Sequence, residues 1–307
     1  MSNSTGSDIA VIGSINADLT GKVQRHPEPG ETLLDSGGTV SAGGKGANQA
    51  VAAAQLNAKV TMIGAVGTDQ MAGEALRHMG GSGADMSAIA TVDGPTGLAI
   101  ITVSDDGQNT IIVIPGANAS VTAEFVNQYS QLIEDAGIVL LQGEISADGF
   151  ERAVDLSQGR VVINLAPVVP VGHSQLRRAD PLLVNEHEGA LVLDMLETPA
   201  TTSDPQGLVT ELLEQGFASV VMPLGAGGAL VGTPGKLTAI PTPKIQAVDT
   251  TGSGDAFAGD LVAKLSEGAD LIEAATFAAR VGAYAATKPG AQASYPTLPT
   301  ELPSTTH

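Results

Sequence analysis

The strongest constraint on the fold is an alternation. Short apolar runs at 9–12, 60–66, 138–141, 161–165, 182–184 and 219–224 are separated by segments with helical spacing at 47–56, 71–79, 123–134, 147–156, 186–196 and 208–215. Strands buried on both faces read as continuous hydrophobic runs, and parallel strands need crossover helices to join them. The pattern predicts an α/β chain with a central, mostly parallel sheet covered by helices on both faces. Two stretches break the rhythm. Residues 97–114 read as an antiparallel hairpin, because GLAIITV and NTIIVI flank Ser104-Asp105-Asp106-Gly107-Gln108 with its Asp-Gly turn. A second β-like excursion over 19–40 carries His26-Pro27-Glu28-Pro29-Gly30 and interrupts the first strand–helix unit. Together they predict a small β-sheet lid on a single domain spanning 1–307. The C-terminal part reads as a β-like run at 245–248, a glycine-rich turn, helices at about 255–265 and 271–286, and a proline-rich tail.

Composition narrows the function. An excess of 33 acidic over 14 basic side chains, a net charge of −19, repels phosphate backbones and anionic lipid, so neither nucleic acid nor a membrane is expected as the main partner. With no cysteine, disulfides, thiolate metal sites and cysteine nucleophiles are excluded. Met1 to Asp8 is polar and lacks the apolar core of a secretory signal, and no apolar run reaches the roughly 18 residues of a membrane span. A cytoplasmic protein is the expectation.

Four segments could carry chemistry. Asp249-Thr250-Thr251-Gly252-Ser253-Gly254-Asp255 opens a helix, and small residues at a helix start leave backbone N–H groups open to an anion. Asp255, in the first turn, would meet a hydroxyl approaching such an anion, as a general base must. Taken alone, the segment reads equally well as a tight turn into a helix. Gly43-Gly44-Lys45-Gly46-Ala47-Asn48 is not a P-loop, because Gly46 follows the lysine where Ser or Thr belongs. It offers a glycine pair for close backbone approach to a ligand, with Asn48 one turn on, or simply a helix entry. Asn16 and Asp18, after the first strand, point the same way if extended and suit adjacent sugar hydroxyls, though such residues also serve plain turns. Asn185 and Glu188 fit a capping box or a reach toward hydrated Mg²⁺. The five histidines show no metal-ligand spacing, and no G-x-S-x-G elbow occurs.

In order and spacing, GSINADLT, GGKGANQA, NEHE and DTTGSGDAFAG resemble the sugar kinases of the ribokinase, or PfkB carbohydrate kinase, family. The likeness runs from about residue 8 to 296 and takes in Pro29-Gly30-Glu31-Thr32 and Gly290-Ala291-Gln292-Ala293-Ser294. It implies a three-layer α/β/α sandwich with a lid, and transfer of the ATP γ-phosphoryl group to the 5-hydroxyl of D-ribose with Mg²⁺ and activation by K⁺. By this resemblance Asp255 is the base, and the N–H groups of Gly252, Ser253 and Gly254 form the anion hole. Sugar binding falls to Asn16, Ala17, Asp18, Gly43, Gly44, Lys45, Asn48 and Glu144. Nucleotide contacts fall to Asn185, Gly254 and the turn Pro223, Leu224, Gly225, Ala226, Gly227 and Gly228, with Glu188 orienting hydrated Mg²⁺. The K⁺ ligands would be oxygens of Asp249, Thr251, Ala285, Lys288, Gly290 and Ser294. Pro223 stands where the family commonly has Thr, so one hydroxyl toward the phosphates is missing, and Gly143 replaces a larger residue beside the sugar. A homodimer clasped through the lid is implied. The rival acceptors are 2-deoxyribose, fructose or a nucleoside. A non-catalytic sugar-binding regulator and a dinucleotide oxidoreductase are the readings from other classes, and the latter lacks G-x-G-x-x-G after the first strand.

Overall fold

The computed structural model describes residues 8–35, 37–106 and 108–305. Residues 1–7, 36, 107, 306 and 307 lie outside the described residues, and with them Gly107 of the expected Asp-Gly turn. The chain enters through strand β1 (Ile9–Ile12), runs into β2 (Asn16–Val23) and β3 (Thr39–Gly43), and turns into helix α1 (Lys45–Gln55). Strand β4 (Val60–Val66), helix α2 (Met71–Ala75) and β5 (Ile89–Thr91) follow, then the hairpin of β6 (Gly97–Ser104) and β7 (Asn109–Ile114). Helices α3 (Ala123–Asn127) and α4 (Ser130–Asp135) lead to β8 (Ile138–Gln142), α5 (Ala147–Leu156), β9 (Arg160–Asn164), α6 (His173–Leu176) and β10 (Ala179–Leu183). Helices α7 (Glu186–Met195) and α8 (Pro205–Glu214) precede β11 (Val220–Pro223), β12 (Ala229–Thr233) and β13 (Lys236–Ile240), and α9 (Ser253–Ser266) and α10 (Leu271–Ala285) close the fold.

Nine strands form one sheet in the order β13-β12-β11-β10-β9-β8-β1-β4-β5. From β5 to β11 every neighbouring pair is parallel, whereas β11, β12 and β13 pair antiparallel at one edge. The sheet separates two apolar clusters. One packs α1, α9 and α10 against the first face, with Val11, Leu140 and Val162 beneath them. The other packs α5, α7 and α8 against Ile12, Leu141 and Ile163 of the opposite face. Successive strand residues thus serve opposite layers, and this accounts for the continuous apolar runs in the sequence.

The lid is a second sheet of order β3-β2-β6-β7, in which β2 pairs antiparallel with β3 and parallel with β6, and β6 pairs antiparallel with β7. It begins earlier than expected, because Asn16 to Asp18 already belong to β2 and pair with residues 41–43.

Three readings need correction. The run at 245–248 is not a strand: entered through Pro241 and Pro243, it crosses toward α10, and the Val248 N–H donates to the Ala286 carbonyl at 2.8 Å. The helix expected over 123–134 is broken at Tyr129, which has φ −113° and ψ 18° and sets its ring 5.3 Å from that of Phe125. The segment 71–79 stays regular only to Ala75, ahead of the glycines at 80, 81 and 83.

Candidate active site

Strands β1, β8, β9, β10 and β11 end on the same side of the sheet, where open α/β folds hold their ligands. Helix α1 can begin there because its entry is glycine. A Cβ on Gly44, which has φ 88°, would stand 2.7 Å from the Asn16 backbone nitrogen, and one on Gly46 would stand 2.6 Å from that of Ser14. The first turn of α1 is therefore pressed onto the link between β1 and β2. At positions i, i+3 and i+4 its side chains Lys45, Asn48 and Gln49 share one face, toward the start of α9.

Helix α9 starts from Gly252 in the left-handed region, φ 72°. A Cβ there would lie 2.6 Å from Ala291 Cβ and 2.7 Å from the Tyr295 hydroxyl, so only glycine fits. Tyr295 donates its O–H to the Gly252 carbonyl at 3.1 Å. Of the three N–H groups expected to receive an anion, that of Ser253 donates to the Thr250 carbonyl at 3.1 Å, while no acceptor faces Gly252 or Gly254 among the described residues. Asp255 follows in the first helical turn and is buried. Its Oδ2 accepts from Asn48 Nδ2 at 2.9 Å and its Oδ1 from Gln49 Nε2 at 2.9 Å, with Lys45 Nζ 3.9 Å from Oδ1.

On one side of Asp255 lies a cavity of about 190 Å³ lined by Asn16, Asp18, Gly44, Lys45, Asn48 and Glu144. Asn16 and Asp18 project from the same face of β2, as their spacing requires, and Ala17 between them is fully buried. Glu144 accepts from Ser14 Oγ at 2.5 Å and from the Lys45 N–H at 3.2 Å. Asn16 Oδ1 accepts from Asn118 Nδ2 at 2.7 Å. Gly43 contributes by having no side chain, since a Cβ there would overlap the Asp18 carboxyl. Burial, with repulsion from Glu144 and Asp255, pushes Asp18 up to about 7 against the attraction of Lys45. Lys45 is driven the other way: Asp255 above all, then Glu144 and Glu188, hold its ammonium charged above the usual lysine range despite burial.

On the other side opens a cavity of about 510 Å³, lined by Asn185, Pro223, Gly225, Ala226 and Gly228 together with Thr242, Ile245, Phe257 and Gly254. Leu224 and Gly227 complete the turn, with the Leu224 N–H donating to the Gly228 carbonyl at 2.8 Å and the Gly227 N–H to the Leu224 carbonyl at 2.9 Å. Between the two, a cleft lined by Lys45, Asn185, Glu188, Gly252, Gly254 and Asp255 joins them. Glu188 makes the capping box, accepting the Asn185 N–H on Oε2 at 2.9 Å while its own N–H donates to Asn185 Oδ1 at 2.8 Å. Burial raises its carboxyl above the ordinary glutamate range. A half-buried carboxylate beside an open cleft suits a divalent ion's water shell.

Of the residues expected around a monovalent cation, Asp249, Thr251 and Gly290 are joined by hydrogen bonds. Asp249 Oδ2 accepts from the Gly290 N–H at 2.8 Å and Oδ1 from the Thr251 N–H at 2.9 Å, and the Ala286 carbonyl receives the N–H groups of Val248 and Asp249. Burial pushes Asp249 up, but these donors outweigh it and keep the carboxyl below its usual range, hence anionic. A carboxylate among backbone carbonyls is a donor set that fits a hard cation. Ser294 is buried in the adjoining turn, its Oγ donating to the Ala291 carbonyl. Ala285 and Lys288 bracket the end of α10, the Lys288 N–H donating to the Ala285 carbonyl at 3.1 Å, and the Lys288 ammonium lies over the Tyr284 ring, 4.3 Å from its centroid.

Several site residues escape a reading of the sequence. Ala99, Ile101, Asn109, Ile111 and Val113 of the lid line the smaller cavity. Their only signal was the period of two along β6 and β7. Gln49 touches Asp255 and Gln142, Asn164 and Gln292 back the amides that do; Gln49 and Gln292 lie inside segments already singled out, but nothing local marks this role.

The family model for pfkB family carbohydrate kinases matches residues 7–298. The ribokinase of Schizosaccharomyces pombe is 33% identical over 303 residues, covering 95% of each chain. A deoxyribokinase of Salmonella typhi is 32% identical, covering 95% of this chain and 96% of its own. Among solved structures, a ribokinase from Thermotoga maritima superposes with a TM-score of 0.87 at 32% identity, covering 95% of this chain and 96% of its own. A ribokinase of Arabidopsis thaliana in complex with ribose and ATP superposes with a TM-score of 0.85 at 30% identity, with the same coverage.

Proposed function

This chain belongs to the pfkB family of carbohydrate kinases, and we propose that it transfers the γ-phosphoryl group of ATP to the 5-hydroxyl of D-ribose, giving ribose 5-phosphate and ADP. One observation carries this reading: the Asp255 carboxylate, in the first turn of α9, lines both the smaller cavity and the cleft leading to the larger one. A sugar in the first and a nucleotide in the second would meet at that group. Ribose and ATP bound to the Arabidopsis relative support the pairing of ligands.

Asp255 accepts the proton of the attacking hydroxyl, and the N–H groups of Gly252, Ser253 and Gly254 face the charge that develops on the transferring phosphoryl group. The Ser253 N–H reaches that role by leaving Thr250. Asn16 and Asp18 hold adjacent hydroxyls of the sugar with Asn48, Gly44 and Glu144, while the ammonium of Lys45 bridges the sugar side and the phosphates. Asn185 and the turn 223–228 hold the nucleotide. When bound, Mg²⁺ would neutralise phosphate charge, with Glu188 orienting its waters, and K⁺ would be held by Asp249, Thr251, Ala285, Lys288, Gly290 and Ser294. The lid closes over the sugar and excludes water, limiting ATP hydrolysis. Its outward apolar residues favour a homodimer clasped lid to lid, and an ATP-consuming sugar kinase works in the cytoplasm.

The test is ADP release with Mg²⁺-ATP and K⁺, comparing D-ribose, 2-deoxyribose, fructose, adenosine and no sugar, beside Asp255→Asn. Ribose-dependent turnover that falls by about 10²–10⁴ in the variant is expected. Preference for another acceptor would replace the substrate but keep the mechanism. Sugar binding without turnover in the native chain would overturn the kinase reading.

A further inference from the structure

Both oxygens of Asp255 are occupied by side-chain amides, and the amides behind them determine which way round each one stands. The Leu183 carbonyl can only accept, so Asn164 must present its NH₂ group there, as it does at 3.0 Å. Asn164 Oδ1 is then left to accept from Gln49 Nε2 at 2.8 Å. Gln142, at the end of β8, donates its Nε2 to Gln49 Oε1 at 2.8 Å. With its carbonyl taken and Asn164 facing it as an acceptor, Gln49 has one orientation, and in it the same NH₂ donates to Asp255 Oδ1 at 2.9 Å. The second oxygen is served by the same logic: Gln292 Nε2 donates to Asn48 Oδ1 at 2.9 Å, which turns the Asn48 NH₂ to Asp255 Oδ2. Gln49 is fully buried, and a Cβ on Gly13 would stand 2.0 Å from Gln142 Oε1, so the backing amide has its space cleared by glycine.

We infer that Gln49 is a positioning residue for phosphoryl transfer: held by Gln142 and Asn164, it fixes one carboxylate oxygen of Asp255 so that the other side of that carboxylate faces the incoming hydroxyl. The inference rests on Asp255 acting as the base. An amide donor stabilises the ionised carboxylate and prevents rotation about its Cβ–Cγ bond, whereas an acceptor in the same place would compete for its proton. Gln142 acts through Gln49, whereas Asn164, which also holds Gln49, lines the cleft beside Asp255 as well.

Gln49→Glu is nearly isosteric and sets an acceptor against Asp255 and Asn164. Expected is a fall in kcat of about 10–10² at neutral pH, KM values for sugar and ATP within about threefold of native, and an acid limb of the pH–kcat/KM profile displaced upward by about one pH unit. Gln142→Leu leaves the Gln49 carbonyl unpaired and Gln49 held by Asn164 alone, and a smaller loss of kcat, about 3–10-fold, is expected with KM values again preserved. A merely structural role would lower the melting temperature without moving the pH profile. An unshifted acid limb and native kcat in folded Gln49→Glu overturns the inference. If that variant does not fold, native kcat in Gln142→Leu does so instead. Asp255→Asn, measured alongside, separates the two claims: full activity there removes the base itself, while an inactive Asp255→Asn with a native-like Gln49→Glu removes only the positioning role.

Discussion

Asp18 and Gly43 stand against each other across the lid strands, so close that a Cβ on Gly43 would lie 2.1 Å from Asp18 Oδ2. The glycine is the space in which the carboxyl sits. Gly43→Ala must displace Asp18 from the sugar cavity, and a rise in sugar KM of about 10–10²-fold is expected, with the KM for ATP within about twofold of native. Steady-state kinetics with each substrate varied in turn checks this, and an unchanged sugar KM would show that Asp18 does not touch the acceptor.

The same carboxyl makes sugar binding depend on pH. A sugar hydroxyl donates to the ionised form, and without sugar Asp18 is pushed up to about 7. Calorimetric affinity for the sugar should therefore weaken by about tenfold for each pH unit below that value and level off above it. Stability moves in the opposite sense. Because the folded-state value is raised from 3.8 to about 7, the folded chain holds the proton that the unfolded chain has lost between those values, and stability falls as pH rises through that window. Asp18→Asn should remove this trend and gain on the order of 2–4 kcal/mol over native near pH 8, with little gain near pH 4, by chemical unfolding.

Gly252 and Tyr295 give a graded pair. Gly252→Ala forces a Cβ into the left-handed region and onto Ala291, and a kcat loss of at least about 10² with destabilisation of about 1–3 kcal/mol is expected. Tyr295→Phe removes only the O–H donated to the Gly252 carbonyl and should cost about 3–10-fold in kcat. Paired kinetics and thermal melts distinguish loss of the anion hole from loss of fold.

Asp249 ties residues 249–251 to 286–290 through the N–H groups of Thr251 and Gly290. At constant ionic strength, turnover of the native chain should rise as Na⁺ is replaced by K⁺. Asp249→Ala should abolish that response and lower kcat by about tenfold or more. A K⁺ response that survives in Asp249→Ala would move the cation elsewhere.

Along β7, Ile111 and Val113 line the smaller cavity and alternation turns Ile112 and Ile114 to the opposite face of the lid; all four are exposed, at 53%, 38%, 59% and 43%. If the proposed lid-to-lid dimer forms, Ile112→Glu together with Ile114→Glu should shift sedimentation from dimer to monomer and weaken sugar binding, because an unsupported lid closes less well. A native chain that sediments as a monomer would remove the clasp.

Legibility of this molecule in its sequence depended on distance along the chain. The parallel strands were legible because burial on both faces makes them continuous apolar runs, and the four motifs because each is a contiguous turn that supplies its own ligands. The hairpin of β12 and β13 passed unread, although Pro234-Gly235 between two β-branched stretches, with Gly235 at φ 76°, was its signal. The amides around Asp255 could not be read in the same way. Gln292 and Asn48 are 244 residues apart, and Gln49 and Asn164 are 115 apart, so only the folded sheet makes them neighbours. The run at 245–248 was misread because apolar side chains that line a cavity imitate those buried in a strand.

Helix α1 brings Lys45, Asn48 and Gln49 to Asp255 from a single turn. The helix therefore works as an index: each residue is assigned its task by an angle, and one residue inserted between Gly44 and Lys45 rotates every later side chain by about 100°. The ammonium and both amides would be swept from Asp255 in one step while the alanines behind them turned toward the cavity. Point substitutions can be graded at this site, whereas a change of length in this turn is all or nothing.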